Sequence, residues 1–151
     1  MSVEKIVFIN AVKIFVSIIL FFFIMKILGL EHITELRLLN FVFVFWGVNS
    51  AIKKNMMEHN SAYLYNLFIG FFTSFISVIF ISLSLTIYLF YIDPSFIEVL
   101  EKSTLWGQTL TPPLMSFAIL IEGVASSMIC TFIVMQYWKN KKFGVLDSNG
   151  I

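Results

Sequence analysis

Charged side chains are scarce in this chain, and their scarcity narrows its class at once. Asp, Glu, Lys and Arg make up 13% of the 151 residues, whereas 59% are hydrophobic and the mean hydropathy is +0.92. A soluble domain of this size needs a larger polar fraction to cover its surface. The formal net charge of +1 also argues against a nucleic-acid-binding face, which requires clustered Lys and Arg.

Residues that commonly carry out catalysis or bind cofactors are few as well. The single cysteine, Cys130, cannot form an intrachain disulfide and is expected to pack as a small hydrophobic side chain. The two histidines, His32 and His59, are predicted on opposite sides of a membrane, so they cannot share a metal ion. A Gly-rich phosphate-binding loop is also missing from the sequence. We therefore expect no metal, no cofactor and no enzymatic activity.

One short polar motif is compatible with an enzyme. Glu35-Leu36-Arg37 with Asn40 resembles part of the polar helix motif of membrane glutathione-dependent enzymes, which also have four spans. The spacing departs from that motif, and the sequence offers no set of further basic residues to hold a thiol tripeptide. This partial match leaves the expectation of a non-enzymatic protein unchanged.

Four long apolar stretches lie between the charged residues. A hydrocarbon core of about 30 Å is crossed by roughly 20 apolar residues in a helix. The sequence predicts spans at 6–30, 36–52, 63–91 and 113–138. The expected fold class is therefore all-α: a single membrane domain over 1–151, folded as a four-transmembrane-helix bundle.

The distribution of basic residues predicts the orientation of this bundle. The side with both termini carries Lys5, Lys53, Lys54, Lys139, Lys141 and Lys142. The other side carries only Lys26, Arg37 and Lys102. Because loops rich in Lys and Arg stay in the cytoplasm, both termini are predicted to be cytoplasmic. Lys13 is expected to extend its ammonium group to the cytoplasmic interface.

The connection between the third and fourth spans has the pattern of a short amphipathic helix over 94–102. Asp93 can cap a helix whose first turn begins with Pro94. The predicted apolar face consists of Phe96, Ile97 and Leu100, and the polar face of Glu98, Glu101 and Lys102. We expect this helix to lie on the outer membrane surface, with capping of the bundle or docking on a partner as the alternative.

Glu122 is the most costly residue in the predicted spans, because a carboxyl near the bilayer centre costs about 2.5 to 3.5 kcal/mol. Ser17, Ser77 and Ser82 are predicted at a similar depth, so these four residues form the candidate intramembrane polar site. The chain has no matching intramembrane cation, which favours a neutral carboxyl that ties helices together. A proton or ion relay at Glu122 is the alternative.

Small and polar residues also recur along the third and fourth spans. Because small residues let helix backbones approach closely in lipid, this pattern predicts a helix-packing face. The candidate face consists of Asn66, Gly70, Ser74, Ser77 and Ser84 on the third span, with Gly123 and Ser127 on the fourth.

The chain as a whole resembles a family of small four-helix inner-membrane proteins of Bacteroidota, known as a domain of unknown function. The resemblance lies in Gly47-Val48-Asn49-Ser50-Ala51-Ile52-Lys53-Lys54, in the approach to Gly70, and in Tyr91-Ile92-Asp93-Pro94-Ser95-Phe96. It implies the four-helix topology and a bacterial inner membrane, and it brings no site residues with it.

The leading functional hypothesis is a non-enzymatic accessory or assembly subunit. Small-residue faces outnumber chemically reactive groups, so we expect the chain to pack against itself or against another membrane protein. Its other expected partner is the lipid bilayer, and no nucleic acid is expected. The alternative is a proton-coupled transporter or channel component that uses Glu122.

Overall fold

The computed structural model describes residues 1–31, 33–59, 62–103 and 111–139, and this part of the chain is helical and has no strands. The α-helices are α1 (Val3–Ile27), α2 (Asn40–Glu58), α3 (Tyr63–Tyr91), α4 (Phe96–Ser103) and α5 (Pro112–Trp138), and a 3-10 helix, Thr34–Leu39, precedes α2. Four of these helices are long and apolar enough to cross a membrane. The all-α prediction is confirmed.

Local sequence explains several helix ends. After α1, Gly29 adopts a φ of +68°, a left-handed conformation that glycine reaches without strain, and the Leu30 amide donates to the Met25 carbonyl at 2.9 Å. At the start of α5, two prolines occupy the first turn, where no backbone hydrogen bond is lost.

The second long helix, α2, differs from its expected bounds. The sequence predicted a span at 36–52, but residues 34–39 form the 3-10 helix and α2 continues to Glu58. The extension is stabilised because Asn55 and Met56 are buried against the bundle, at 0% and 7% exposure. Lys54 and Glu58 also form an i,i+4 ion pair at 4.0 Å.

The short helix also differs in its start. α4 begins at Phe96 rather than at residue 94, since Pro94 and Ser95 form a turn. Phe96 and Leu100 are buried together with Tyr88, Leu89 and Met115 in one hydrophobic cluster. The apolar face of α4 therefore caps the chain's own bundle, which is the alternative that the sequence left open.

The four long helices run alternately up and down. Both α2 and α3 pack against each of the other long helices, so they form the centre of the bundle, with α1 and α5 on either side. We call the end with Val3, Glu58, Tyr63 and Trp138 the N-terminal end. We call the opposite end of the bundle, where α4 lies, the α4 end.

Interhelical contacts near the N-terminal end are close. Asn55 Nδ2 donates to Asn66 Oδ1 at 2.8 Å, and Trp138 Nε1 donates to Asn49 Oδ1 at 2.6 Å. Amide and indole groups buried among apolar helices require such partners, because an unpaired polar group there costs several kcal/mol. These bonds tie α2 to α3 and to α5.

Some sequence predictions concern residues outside the described ranges. His32, Lys141 and Lys142 lie there, so the side on which they lie is not described. His59 directly follows α2, at the N-terminal end.

Candidate functional site

The serines expected near Glu122 have other partners. The Ser77 hydroxyl donates to the Ala11 carbonyl on α1 at 2.9 Å, and the Ser82 hydroxyl donates to the Ser116 carbonyl on α5 at 2.9 Å. Ser17 is half-buried on α1. The structure therefore uses the buried serines to connect α3 with α1 and α5, and it does not gather them around Glu122.

The candidate packing face lies largely inside the bundle. Asn66, Gly70, Ser74 and Ser77 on α3 are buried, as is Ser127 on α5. A Cβ atom at Gly70 would lie 2.7 Å from Thr131 Cγ2 and 2.9 Å from Ile52 Cδ1. These small residues therefore allow α3 to contact α2 and α5 closely.

Two residues of the candidate packing face, Gly123 and Ser84, lie away from these contacts around Gly70. A Cβ atom at Gly123 would lie 2.7 Å from Val78 Cγ1, so Gly123 brings α5 against the later part of α3. Ser84 is half-buried and lines a cavity instead of a helix contact.

Glu122 is exposed on α5, beside a groove that we call the polar groove. The polar groove has a volume of about 350 Å³ and lies between α2, α3 and α5, on the half of the bundle nearer the α4 end. Its polar wall residues are Glu35, Arg37, Asn40, Glu122, Ser126 and Ser127. The wall of the polar groove thus includes Glu122 together with polar residues of α2, α5 and the 3-10 helix.

Two polar atoms of residues that line the polar groove are buried, do not face the groove, and have no hydrogen-bond partner. They are the hydroxyl oxygen of Ser127, a residue that is 1% exposed, and the carboxamide oxygen Oδ1 of Asn40. Ser126 differs, because its hydroxyl donates to the backbone carbonyl of Glu122 at 2.7 Å. A buried polar atom without a partner costs about 1 to 3 kcal/mol, so these two atoms lower the stability of this part of the bundle.

A second cavity, the apolar cavity, adjoins the polar groove. It has a volume of about 330 Å³ and lies under α4, with walls from α1, α3, α4 and α5. Phenylalanine, isoleucine and leucine side chains form most of its wall. The polar groove and the apolar cavity share the wall residues Ile18, Arg37, Asn40, Ile81 and Ile119. The two spaces therefore meet at Arg37 and Asn40.

Aromatic contacts hold α4 over the apolar cavity. The ring of Phe22 on α1 lies 5.4 Å from the rings of both Tyr88 and Phe96 in edge-to-face arrangements. Tyr88 and Phe96 contact each other at 5.7 Å. Such pairs contribute about 0.5 to 1.5 kcal/mol each beyond the area they bury.

An ion pair lies beside these rings. Lys26 at the end of α1 binds Asp93, with Nζ to Oδ2 at 3.2 Å, and also binds the hydroxyl of Tyr88. The hydroxyl of Ser95, which donates to Asp93 Oδ1 at 2.5 Å, and then the Lys26 ammonium hold the pKa of Asp93 below its ordinary value of 3.8. Asp93 thus stays ionised at neutral pH and joins the end of α3 to α1.

A third, wider groove lies outside this region. It has a volume of about 670 Å³, lies on the outside of the bundle between the N-terminal halves of α1 and α3, and is lined almost entirely by apolar side chains. Its charged wall residues, Glu4 and Lys5, have opposite signs. Neither its shape nor its charge singles out a ligand.

Sequence reasoning missed the central members of the site. Arg37 and Asn40 appeared in the partial match to the polar helix motif of glutathione-dependent enzymes, and Arg37 also in the orientation, but neither was predicted as a member of the candidate site, whereas both line the two cavities. Their spacing of three residues, which places side chains on one helical face, was the available signal. Among the described residues no group of three or more His, Cys, Asp and Glu side chains could hold a metal ion.

No family model, no curated protein and no solved structure matches this chain.

Proposed function

We propose that this chain is a multi-pass protein of a bacterial inner membrane, with both termini in the cytoplasm, and that it belongs to the Bacteroidota family its sequence resembles. Large apolar side chains cover the outside of the long helices, including Phe8, Leu20, Phe68, Leu83 and Ile129. Apolar coverage of this extent is typical of a lipid-facing surface. Lys5, Lys53, Lys54 and Lys139 at the N-terminal end favour a cytoplasmic location for that end.

Within that membrane, the proposed function is non-enzymatic binding of an amphiphile, a molecule with a polar headgroup and an apolar chain. The observation that carries this proposal is the pair of adjoining cavities, one with polar as well as apolar wall residues and one almost entirely apolar, that share Arg37 and Asn40. An apolar pocket with a few convergent polar groups is the usual form of a ligand site. The headgroup occupies the polar groove, and the chain extends into the apolar cavity.

The volumes limit the size of the amphiphile. A methylene group is comparable in size to a water molecule, whose share of liquid volume is about 30 Å³. The apolar cavity of about 330 Å³ therefore holds one chain of roughly ten carbon atoms.

The accessory-subunit hypothesis from the sequence stays a prediction, with a weaker basis. It depended on small-residue faces that a partner could use, but Gly70 and Ser77 contact neighbouring helices of the same chain, and Ser74 is buried. The proton-coupled alternative also stays a prediction. Glu122→Gln removes titration while it keeps hydrogen bonding, so unchanged transport in that variant would overturn the alternative.

Native mass spectrometry after gentle detergent extraction tests amphiphile binding directly. The protein should carry an adduct of lipid-like mass, identifiable by fragmentation. Ser84→Phe, which adds a ring to the wall of the apolar cavity, should remove most of that adduct. Leu83→Phe is the matched control, because the neighbouring Leu83 is 57% exposed on the outside of the same helix.

Two results would overturn the proposal. One is wild-type protein without any amphiphile, recovered instead with a reproducible protein partner, which would establish the accessory function. The other is equal adduct occupancy in the two variants, at equal melting temperature, which would place the amphiphile outside the cavity.

A further inference from the structure

We propose that two copies of this chain, in the same orientation in the membrane, form a two-fold dimer through the wide groove between α1 and α3. We call it the outer groove, and its walls include Glu4, Lys5 and Phe8 of α1 with Phe68 and Phe72 of α3. Within the described residues, the outer groove shares no wall residue with the polar groove or the apolar cavity. Dimerisation and amphiphile binding are therefore separate properties.

The first argument comes from charge. Glu4 and Lys5 are exposed in the wall of the outer groove, and the ion pairs of the described residues involve neither of them. They are neighbours in α1, so their depths in the membrane differ by only about 1.5 Å. Across a two-fold axis, the Glu4 carboxyl of each copy can bind the Lys5 ammonium of the other. Opposite charges that favour no particular ligand thus fit a second copy of the same surface.

The second argument comes from shape. The outer groove, at about 670 Å³, has roughly twice the volume of the polar groove or the apolar cavity, and large rings project beside it. Phe8 on α1 and Phe68 on α3 are each 53% exposed, and Phe72 is 50% exposed. A two-fold contact requires one surface that has both a recess and projections. The rings of each copy can therefore enter the groove of the other.

The third argument comes from the rigidity of these rings. Phe68 lies 6.5 Å from Phe72, and the ring of Phe71 lies 5.9 Å from Phe72 and 5.6 Å from Phe75. Helices in lipid associate by close packing, without a hydrophobic driving force between them. Because the rings already hold one another, they lose little side-chain freedom when a second copy packs against them.

Charge-reversed variants of the full-length protein test the two-fold contact. Energy transfer between donor-labelled and acceptor-labelled copies in liposomes, measured at increasing lipid dilution, gives the dimer dissociation constant. Glu4→Lys and Lys5→Glu should each raise that constant about tenfold, since each removes both symmetry-related ion pairs and places like charges opposite each other. The double variant with both substitutions exchanges the two charges, so it should restore wild-type dimerisation.

A mixture of the two single variants gives a stricter test. One chain then carries two cations at this position and the other carries two carboxylates, so the mixed dimer regains both ion pairs. It should form in preference to either dimer of identical chains. Lys53→Glu is the control, since Lys53 is exposed at the same end of the bundle but outside the outer groove, and it should leave the dissociation constant unchanged.

Two ring truncations test the argument from shape. Phe72→Ala should weaken the dimer about tenfold, because buried aromatic side chains contribute much of the binding energy of an interface. Phe90→Ala is the matched control: Phe90 is 52% exposed on the same helix and lies outside the outer groove, so dimerisation should not change. Equal melting temperatures of the two variants would verify that both keep the fold.

The other outcomes overturn the inference. Wild-type protein that stays monomeric at every lipid dilution would show that lipid alone covers the outer groove. A dimer that the charge reversals leave unchanged, or that the double variant does not restore, would place the interface elsewhere. Equal effects of Phe72→Ala and Phe90→Ala would exclude the outer groove. None of these results changes the expected amphiphile adduct, so the proposed function would stand if the dimer failed.

Discussion

The two ends of the bundle are built from the same apolar helices but are packed in different ways. Towards the N-terminal end, Gly70 lies directly against side chains of α2 and α5, and the amides of Asn55 and Asn66 bond to each other. Towards the α4 end, the rings of Phe22, Tyr88 and Phe96 contact one another and leave a cavity beneath α4. The comparison indicates that the first end provides stability and the second provides space for a ligand.

This division predicts that substitutions at the N-terminal end mainly change stability. Gly70→Leu should have the largest effect of those considered, because the new side chain would overlap Thr131 and Ile52. Overpacking of this kind costs about 3 kcal/mol, which exceeds the gain of about 1 kcal/mol in helix propensity. Thermal unfolding in detergent, followed by circular dichroism, measures the difference.

Ala125→Leu is the control for Gly70→Leu, since Ala125 is exposed on α5. It should leave the melting temperature nearly unchanged. If both leucine variants unfolded at the wild-type temperature, the N-terminal end would be no more tightly packed than the surface, and the comparison would fail.

A smaller loss of stability is expected from the amide pair. Asn66→Ala removes the acceptor for Asn55 Nδ2 and should destabilise the protein by about 1 to 2 kcal/mol. The double variant with Asn55→Ala separates the pairwise interaction from other effects, and the coupling should be about 0.5 to 1.5 kcal/mol. Strictly additive losses would show that the two amides do not stabilise each other.

The smallest effect is expected at the α4 end, in the ion pair of Lys26 and Asp93. Because folding lowers the pKa of Asp93, the stabilisation is present above its ordinary value of 3.8 and is lost as the pH falls through the lower folded value. Asp93→Asn should therefore lower the melting temperature slightly at pH 7, and the difference from wild type should disappear in stronger acid.

The control for this measurement is Glu98→Asn, at an exposed carboxyl on α4. It should leave the melting temperature at pH 7 nearly unchanged. A difference between Asp93→Asn and wild type that persisted unchanged at pH 2 would show that charge is not the cause.

The sequence was sufficient to predict the long helices. It was insufficient to predict which side of each helix faces the neighbouring helices. The bounds of α3, Tyr63–Tyr91, agree with the predicted span, because a continuous apolar run ends in tyrosines on both sides. The partners of Ser77 and Ser82 were missed. Depth along a helix can be counted from sequence, but a helix that is apolar on all sides does not reveal which side faces its neighbours.

The candidate site was predictable only in part. Glu122 stood out because a carboxyl is rare in an apolar helix, and it does line a cavity. Its neighbours Arg37 and Asn40 come from the 3-10 helix and the first residue of α2, where the sequence predicted a helix that begins at residue 36. Arg37 and Asn40 line the same cavities because the chain forms a 3-10 helix before α2. The periodicity of apolar residues does not predict a 3-10 helix.

The hydrogen bond from Ser77 to the carbonyl of Ala11 has a consequence for biogenesis. Its two residues are 66 positions apart, so α1 and α2 are synthesised well before the hydroxyl that binds α1 exists. In the proposed membrane, the first helical hairpin therefore presents that side of α1 to lipid until α3 is inserted. A protein stalled after its second helix would lack this contact, whereas one stalled after its third would already have it.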